Sequence, residues 1–128
     1  MGRELFLDFF TEHEVPVIRK RRHTFLKMDD ENAYILKEGV VKVSVLMRDG
    51  REFNIAYLKG FDILSMFKDA VVDCKFSSLM IRVESDEASF YCVSKELFNQ
   101  LLNKHSELVE YVIRIIVRNY RKQFQDKN

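Results

Sequence analysis

The range Tyr34–Ile63 constrains the fold more than any other part of the chain. It contains two runs in which every second residue is apolar, separated by the turn sequence Arg48-Asp49-Gly50. Alternation with a period of two is typical of a half-buried β-strand, and an Asp-Gly pair between two such runs indicates a hairpin. The apolar members of the runs are Val41, Val43, Val45, Phe53, Ile55 and Tyr57. We therefore expect a long β-hairpin with one apolar face.

The length of the hairpin loop follows from matching the apolar faces of the two strands. A two-residue loop would point the two apolar faces in opposite directions. A three-residue loop, Arg48 to Gly50, places Val45 opposite Phe53 and gives both strands the same apolar face. Since a slip of one residue reverses every side chain, we predict this loop, with Gly50 in the left-handed conformation. The other predicted pairs are Val43 with Ile55 and Val41 with Tyr57.

The composition is that of an ordinary globular domain. The chain has 128 residues, of which 47% are hydrophobic, and a formal net charge of +1. This balance gives no global field that would attract nucleic acid or a membrane surface, and no apolar run approaches the ~20 residues that span a bilayer. The N-terminus lacks a signal-peptide pattern, so we expect a cytoplasmic protein without membrane contact. Two cysteines are too few for a disulfide scaffold.

The remaining segments predict short strands followed by two helices. An amphipathic pattern predicts a short helix at Leu5–Glu12. The basic run Arg19–His23 is interpreted as a solvated face or loop, with binding of phosphate or nucleic acid as the alternative. Ser94 is a favourable N-cap for the first of the two closing helices, and Ser106 for the second. The expected strands are Thr24–Leu26, Phe76–Val83 and Ala88–Val93, and the expected helices are Lys95–Asn103 and Glu107 to about Gln125.

The apolar residues of the last helix are too numerous for a single stripe. One set, spaced four, three and four residues apart, has the pattern of a two-stranded helical seam. A second set would pack against the chain's own barrel. The seam consists of Val109, Ile113, Ile116 and Tyr120, and the second set of Leu108, Val112 and Ile115. We therefore expect a homodimer through this helix. The alternative is a helix buried entirely within its own domain.

Several motifs in the same order resemble the effector domain of Crp/Fnr-family transcription regulators. They are Tyr34-Ile35-Leu36, Gly39-Val40-Val41-x-Val43, Asp49-Gly50, Tyr57-Leu58-x-x-Gly60 and Val93-Ser94-x-x-x-Phe98, followed by the long helix. The resemblance implies a mainly β fold with α-helices, a double-stranded β-helix (jelly roll) with a short N-terminal helix and a long C-terminal dimerisation helix. The sensor domain would span residues 1–105 and the dimerisation helix residues 106–128. Gly39, Gly50 and Gly60 would form its structural turns.

In that family a winged helix-turn-helix follows the long helix and reads DNA in the major groove. The present chain stops where that module would begin, so we expect a truncated protein whose DNA contacts lie in the missing part.

The sequence departs from the family pattern where cyclic nucleotides bind. Members that bind them carry a glutamate for the ribose and an arginine for the phosphate. Here Ser65 and Ser78 stand at those positions. A neutral hydroxyl makes a weaker contact with an anion than a charged group does, so we predict no tight binding of cyclic AMP or cyclic GMP. The expected effector pocket consists of Ser65, Met66, Cys74, Lys75, Ser77 and Ser78.

Without the cyclic-nucleotide residues, the chain is most similar to the divergent PrfA-like branch of the family. That similarity implies an unknown small-molecule effector, with glutathione as one possibility. Cys74 lies beside Lys75, a cation that would lower the pKa of its thiol and suit it to redox sensing or thiol exchange. The alternative is a buried, inert cysteine.

Other functional classes find less support in the sequence. A cupin-type enzyme needs several convergent histidines, but the three histidines here are scattered, and no Ser-His-Asp or Cys-His arrangement is present. We therefore expect no catalytic site, no metal site and no cofactor. A cyclic nucleotide-binding-like regulatory domain of another signalling protein remains the alternative.

Overall fold

The structure, a computed structural model, describes residues 2–65, 67 and 77–126, with the backbone alone at 77 and 119–126. A short helix precedes eight strands, and two helices follow them. The elements are α1 (Gly2–Glu12), β1 (Val17–Arg21), β2 (Phe25–Leu26), β3 (Asn32–Glu38), β4 (Val40–Met47), β5 (Glu52–Lys59), β6 (Asp62–Ile63), β7 (Ser77–Val83), β8 (Glu87–Ser94), α2 (Lys95–Lys104) and α3 (Ser106–Asp126). The predicted mainly β architecture with closing helices is confirmed.

The described strands form two four-stranded sheets. The first sheet has the order β1-β8-β3-β6, and the second has the order β2-β7-β4-β5. All neighbouring strands are antiparallel. Strands that are consecutive in the chain often lie in different sheets, which is the arrangement of a rolled sandwich rather than a simple meander.

The predicted three-residue hairpin loop is confirmed, but the register of the hairpin is only partly right. Val45 lies opposite Phe53, and Gly50, with a φ of 93°, donates its N–H to the Met47 carbonyl. Beyond Ser44 the register shifts by one residue because Ile55 is left unpaired as a bulge in β5. The predicted pairs of Val43 with Ile55 and of Val41 with Tyr57 are therefore wrong; the observed partners are Ala56 and Leu58.

The bulge decides which side chains of β5 enter the core. Below it, Leu58 is 3% exposed, whereas Tyr57 is 51% exposed. In the sequence, the apolar alternation runs past Ile55 without a break and predicts Tyr57 on the apolar face. In the structure, the extra residue shifts the register, so Leu58 is buried in place of Tyr57. A β-bulge re-aims the side chains that follow it, and no turn residue marks this one in the sequence.

Strand β3 divides two apolar clusters. Tyr34 and Leu36 point into the space between the two sheets, while Ala33 and Ile35 point towards the helices. A strand buried on both faces reads as a continuous apolar run, which explains why this part of the chain lacks alternation. The helix-side cluster gathers Phe6 and Phe10 of α1, Leu101 of α2, and Leu108 and Ile115 of α3.

Part of the basic run forms a strand that the sequence analysis did not predict. The range Val17–Arg21 is β1, which lies at the edge of the first sheet and pairs with β8. Arg19 and Arg21 are exposed, while Ile18 and Lys20 are half-buried. An edge strand with charged residues on its open face carries too little apolar alternation to be recognised from its sequence.

Of the two predicted N-caps, only that of α2 is confirmed, because Ser106 is the first residue of α3 rather than its cap. The hydroxyl of Ser94 accepts a hydrogen bond from the Leu97 N–H at 3.1 Å, so Ser94 caps α2 as predicted. His105 takes an extended conformation between α2 and α3, and α3 begins at Ser106 itself. On the exposed side of α3, the Arg114 guanidinium forms an ion pair with the Glu110 carboxylate at 2.6 Å.

Candidate functional site

The expected effector pocket lies partly outside the described residues. Met66, Cys74 and Lys75 are in that undescribed range, and for Ser77 only the backbone is described. Ser65 and Ser78 mark the two ends of the segment. Ser65 lies two residues after the end of β6 in the first sheet, whereas Ser78 lies in β7 of the second sheet. The segment between them therefore begins on one sheet and ends on the other.

Ser65 is a buried residue with a defined structural contact. Its side-chain oxygen accepts a hydrogen bond from the backbone N–H of Tyr34 at 2.8 Å. The next bond along the segment runs from the Leu64 N–H to the Tyr34 carbonyl at 2.8 Å. Both backbone groups of Tyr34 are thus satisfied by this segment, which extends the short pairing of β6 with β3. The Ser65 side chain carries no charge.

Ser78 is an exposed residue near the base of the hairpin loop. It pairs with Leu46 of β4, and the neighbouring Ser77 pairs with Met47. Neither Ser65 nor Ser78 carries a charge.

A tyrosine–carboxylate pair lies at the inner face of β3. The hydroxyl of Tyr34 donates to the Asp29 carboxylate at 3.1 Å, and the Asn32 side chain donates to the same carboxylate. Burial raises the pKa of Tyr34 to about 12, and side-chain hydrogen bonds with Cys92 and Asp29 act in the same direction. The hydrogen bond from Asn32 is the main cause of the lowered pKa of Asp29. The sequence analysis assigned no role to this pair.

The glycines at the expected turns all have positive φ angles: 103° at Gly39, 93° at Gly50 and 76° at Gly60. Gly39 faces an additional constraint, because an added Cβ would lie 2.7 Å from the backbone of Ala88 and Glu87. Gly50 and Gly60 have open space at that position. The turn at Gly39 therefore demands glycine for both conformation and close packing.

Helix α3 has apolar residues on two sides, as the sequence predicted. Leu108 and Ile115 are buried against the domain, with exposed fractions of 0% and 3%. On the other side, large apolar side chains are 41–53% exposed. These exposed residues are Val109, Ile113, Ile116 and Val117, of which the first three belong to the expected seam; the side chain of Tyr120 lies outside the description.

Two contacts that sequence reasoning missed join α3 to the segment before Ser65. The ring of Phe61 lies 6.1 Å from the ring of Tyr111, centroid to centroid. Next to it, Asp62 accepts a hydrogen bond from the Arg118 guanidinium at 3.0 Å and another from the Ile63 N–H at 3.0 Å. The two partners are 56 residues apart in the chain, and no local pattern in the sequence signals a pairing at that separation.

Among the residues that the structure describes, no group of three or more His, Cys, Asp and Glu side chains is placed to hold a metal ion. A search of the described helices finds none with the length and apolarity needed to cross a membrane.

No protein-family model matches the chain. One curated protein, the Lactate racemization regulatory protein of Lactiplantibacillus plantarum, is 34% identical over 128 residues. The match covers 98% of this chain and 56% of that protein. The chain thus spans about half the length of the curated relative that it matches.

Three solved structures with similar folds are distant from this chain in sequence. A transcriptional regulator from Thermotoga maritima superposes with a TM-score of 0.66 at 21% identity, covering 88% of each chain. A cyclic nucleotide-binding domain containing protein from Listeria monocytogenes gives 0.75 at 13% identity, covering 97% of this chain and 60% of that one. CLP, the c-di-GMP responsive global regulator of Xanthomonas campestris, gives 0.72 at 16% identity, covering 98% and 59%.

These likenesses establish the fold. The two antiparallel sheets and the flanking helices form the jelly roll of cyclic nucleotide-binding domains. The predicted double-stranded β-helix is confirmed.

Proposed function

We propose that this chain is the effector-sensing and dimerisation domain of a Crp/Fnr-type transcription regulator. The observation that carries the proposal is the exposed apolar stripe of α3, which stands on a jelly roll of the cyclic nucleotide-binding type. An exposed stripe on a long terminal helix is suited to pair with the same stripe of a second copy. The 34% identity with a regulatory protein over almost the whole chain supports a role in regulation rather than catalysis.

The effector that we propose is a small molecule other than a cyclic nucleotide. Ser65 already accepts a hydrogen bond from Tyr34, and neither it nor Ser78 can neutralise a cyclic phosphate. Two candidates have specific support. The name of the L. plantarum relative concerns lactate racemization, which makes lactate the first compound to test. The resemblance to the PrfA-like branch makes glutathione the second.

We further propose that the full-length protein continues into a DNA-binding domain. The match covers only 56% of the curated relative, so about half of that protein has no counterpart in this chain. A homodimer would then present two DNA-binding heads to two half-sites, and the angle between the two α3 helices would set their spacing.

Selection of DNA sites by the full-length protein tests this proposal. The purified protein is incubated with a random duplex library, and bound sequences are recovered and assayed by fluorescence anisotropy. We expect a two-half-site sequence that loses affinity when Ile113 and Ile116 are both replaced by aspartate. Val17→Asp, which places one aspartate on an exposed apolar residue of β1 away from α3, is the control and should bind normally. Recovery of no enriched sequence would refute the proposed role in transcription.

A thiol response would require a second test. If Cys74 is the sensor, Cys74→Ser in the full-length protein abolishes any change in DNA affinity caused by oxidised glutathione. A response that persists in this variant would exclude Cys74 as the sensor.

A further inference from the structure

The outermost strands of the two sheets differ in how well they could accept a further strand. Among the strands that the structure describes, these are β1, β6, β2 and β5. β6 and β2 contain two residues each, and β5 carries the bulge at Ile55. Short edge strands and bulges both hinder the addition of a strand. In contrast, β1 has five residues and pairs with β8 without a register shift, so it offers the most regular open edge.

The hydrogen bonds at the two ends of β1 show which of its backbone groups face outwards. Cys92 donates its N–H to the Pro16 carbonyl at 3.0 Å, and Arg22 donates its N–H to the Asp86 carbonyl at 3.0 Å. In an antiparallel pair, every second residue of a strand bonds to the neighbouring strand. The even-numbered residues of β1 therefore bond to β8, and the odd-numbered residues turn their backbone groups to the open edge. These residues are Val17, Arg19 and Arg21.

The turn that follows β1 sets the end of this edge. The N–H and the hydroxyl of Thr24 both donate to the Arg21 carbonyl, at 3.2 and 2.6 Å. The open edge thus offers the N–H and carbonyl groups of Val17 and Arg19 and the N–H of Arg21. All three of these residues are exposed, so an added strand could reach them without displacing a described part of the chain.

The side chains along the open edge favour a strand with negative charge. Arg19 lies opposite Ser89, an uncharged residue that is 7% exposed, whereas Arg21 lies opposite Glu87. Opposite charges that face each other on neighbouring strands stabilise the pair, and like charges destabilise it. A second copy of β1, aligned over its whole length, would place Arg19 opposite itself. The edge therefore disfavours pairing with its own copy and favours an acidic strand.

We propose that the open edge of β1 binds an extended acidic segment of a partner protein, which adds as a fifth strand to the first sheet. In an antiparallel register, acidic side chains at every second position would lie opposite Arg19 and Arg21. Main-chain hydrogen bonds supply affinity in this mode of recognition, and alternate side chains supply specificity. β1 contains no residue of the expected effector pocket or of the apolar stripe of α3, so this binding does not depend on the proposed function.

An NMR titration of the isotope-labelled chain with a capped peptide in which glutamate and threonine alternate tests the proposal. We expect saturable binding with a Kd below ~1 mM. With the peptide at ~4 times its Kd, hydrogen exchange should slow by about fivefold at the amides of Val17, Arg19 and Arg21. The amides of Ile18 and Lys20 already donate to β8 and should keep their exchange rates. Protection of every second amide identifies strand addition, because contact with side chains alone would not produce it.

Two N-methylated forms of the peptide separate strand addition from attraction between charges. When the glutamates lie opposite the arginines of β1, their N–H groups point at the edge, so methyl groups on the glutamate nitrogens would block binding. Methyl groups on the threonine nitrogens would point away from the edge, and this peptide should still bind. Equal binding of the two forms would show that charge alone attracts the peptide and would overturn the proposal.

Charge-reversal variants test the contribution of the side chains. Arg19→Glu should raise the Kd by about 2- to 30-fold, because a repulsive cross-strand pair replaces an attractive one. Arg51→Glu is the matched control: it changes the net charge equally at a side chain that is 68% exposed in the hairpin loop, and it should leave the Kd unchanged. An equal effect of both variants would indicate a general electrostatic attraction and contradict binding at β1.

Further outcomes would also overturn the proposal. One is the absence of saturable binding up to ~1 mM peptide. Another is slow exchange of the Val17, Arg19 and Arg21 amides in the free chain, since another part of the chain would then cover the edge. Duplex DNA of random sequence is the competitor. If it binds the chain, displaces the peptide and loses affinity in Arg19→Glu, the basic run is a nucleic-acid contact rather than a site for a strand.

Discussion

Replacing Ile113 with aspartate should convert a dimer of this chain into monomers. Ile113 is 53% exposed in the single chain, and complete burial of an isoleucine is worth about 1.5–3 kcal/mol. Covering the exposed half would contribute about 0.8–1.5 kcal/mol per side chain. A symmetric interface contains two copies, so the loss is roughly 1.5–3 kcal/mol, or about 10- to 100-fold in Kd.

The introduced charge adds to this loss. Two carboxylates in the centre of an apolar seam would have to be desolvated without partners, at a further cost of several kcal/mol. We therefore expect the dissociation constant of the dimer to rise by at least about 100-fold, with a comparable effect for Ile116→Asp, because the Ile116 side chain is 45% exposed. The fold of the single chain should survive, because aspartate at an exposed helical site costs only about a few tenths of a kcal/mol in helix propensity relative to isoleucine.

Sedimentation velocity over a concentration series measures the effect, with circular dichroism to confirm that the variants are folded. Val17→Asp should leave the dissociation constant unchanged. A dimer that survives both Ile113→Asp and Ile116→Asp would show that the interface lies elsewhere. A wild-type chain that stays monomeric at high concentration would refute dimerisation through this helix altogether.

Three further predictions concern the stability of the domain. Ser65→Ala should lower the free energy of unfolding by about 1–3 kcal/mol in urea titrations, because it leaves the Tyr34 N–H buried without its acceptor. In the same assay, Gly39→Ala should lower the free energy of unfolding more than Gly60→Ala does. Both positions have a positive φ, which costs an alanine about 1–2 kcal/mol, but only at Gly39 would the added Cβ also meet the backbone of Ala88. Burial raises the pKa of Tyr34 to about 12. The contribution of this group to the free energy of unfolding is therefore fully present below pH ~10 and is lost as the pH rises from ~10 to ~12, because the tyrosine of the unfolded chain ionises at the lower pH. Tyr34→Phe should remove this contribution to the alkaline loss of stability; an unchanged pH profile would contradict the assignment.

The fold was largely predictable because its signals are local. The three-residue turn at Gly50, the cap at Ser94 and the two apolar sides of the last helix each depend on residues close together in the chain, and each was found as expected. The errors arise where a non-local feature overrides a local pattern. The bulge at Ile55 reassigned Tyr57 to the exposed side, and pairing with β8 turned part of the basic run into a strand.

The candidate site was less predictable for the same reason. The position of Ser65 in the sequence indicated a missing charge, but its hydrogen bond to Tyr34 depends on the approach of two residues that are 31 positions apart in the chain. The pair formed by Asp62 and Arg118 spans 56 residues and becomes visible only when α3 is packed on the barrel. A buried aspartate after a glycine turn looks like an ordinary turn residue in the sequence.

The most direct test of the sensing role is thermal unfolding of this domain with a panel of candidate effectors at fixed protein concentration. The panel comprises D-lactate, L-lactate, reduced and oxidised glutathione, cyclic AMP and cyclic GMP. A ligand at ~100 times its dissociation constant stabilises the folded state by about 2.7 kcal/mol, which gives a clear rise in Tm. We expect such a rise with lactate or glutathione and none with either cyclic nucleotide. A rise with cyclic AMP or cyclic GMP would contradict our interpretation of Ser65 and Ser78, and an unchanged Tm throughout would contradict both proposed effectors.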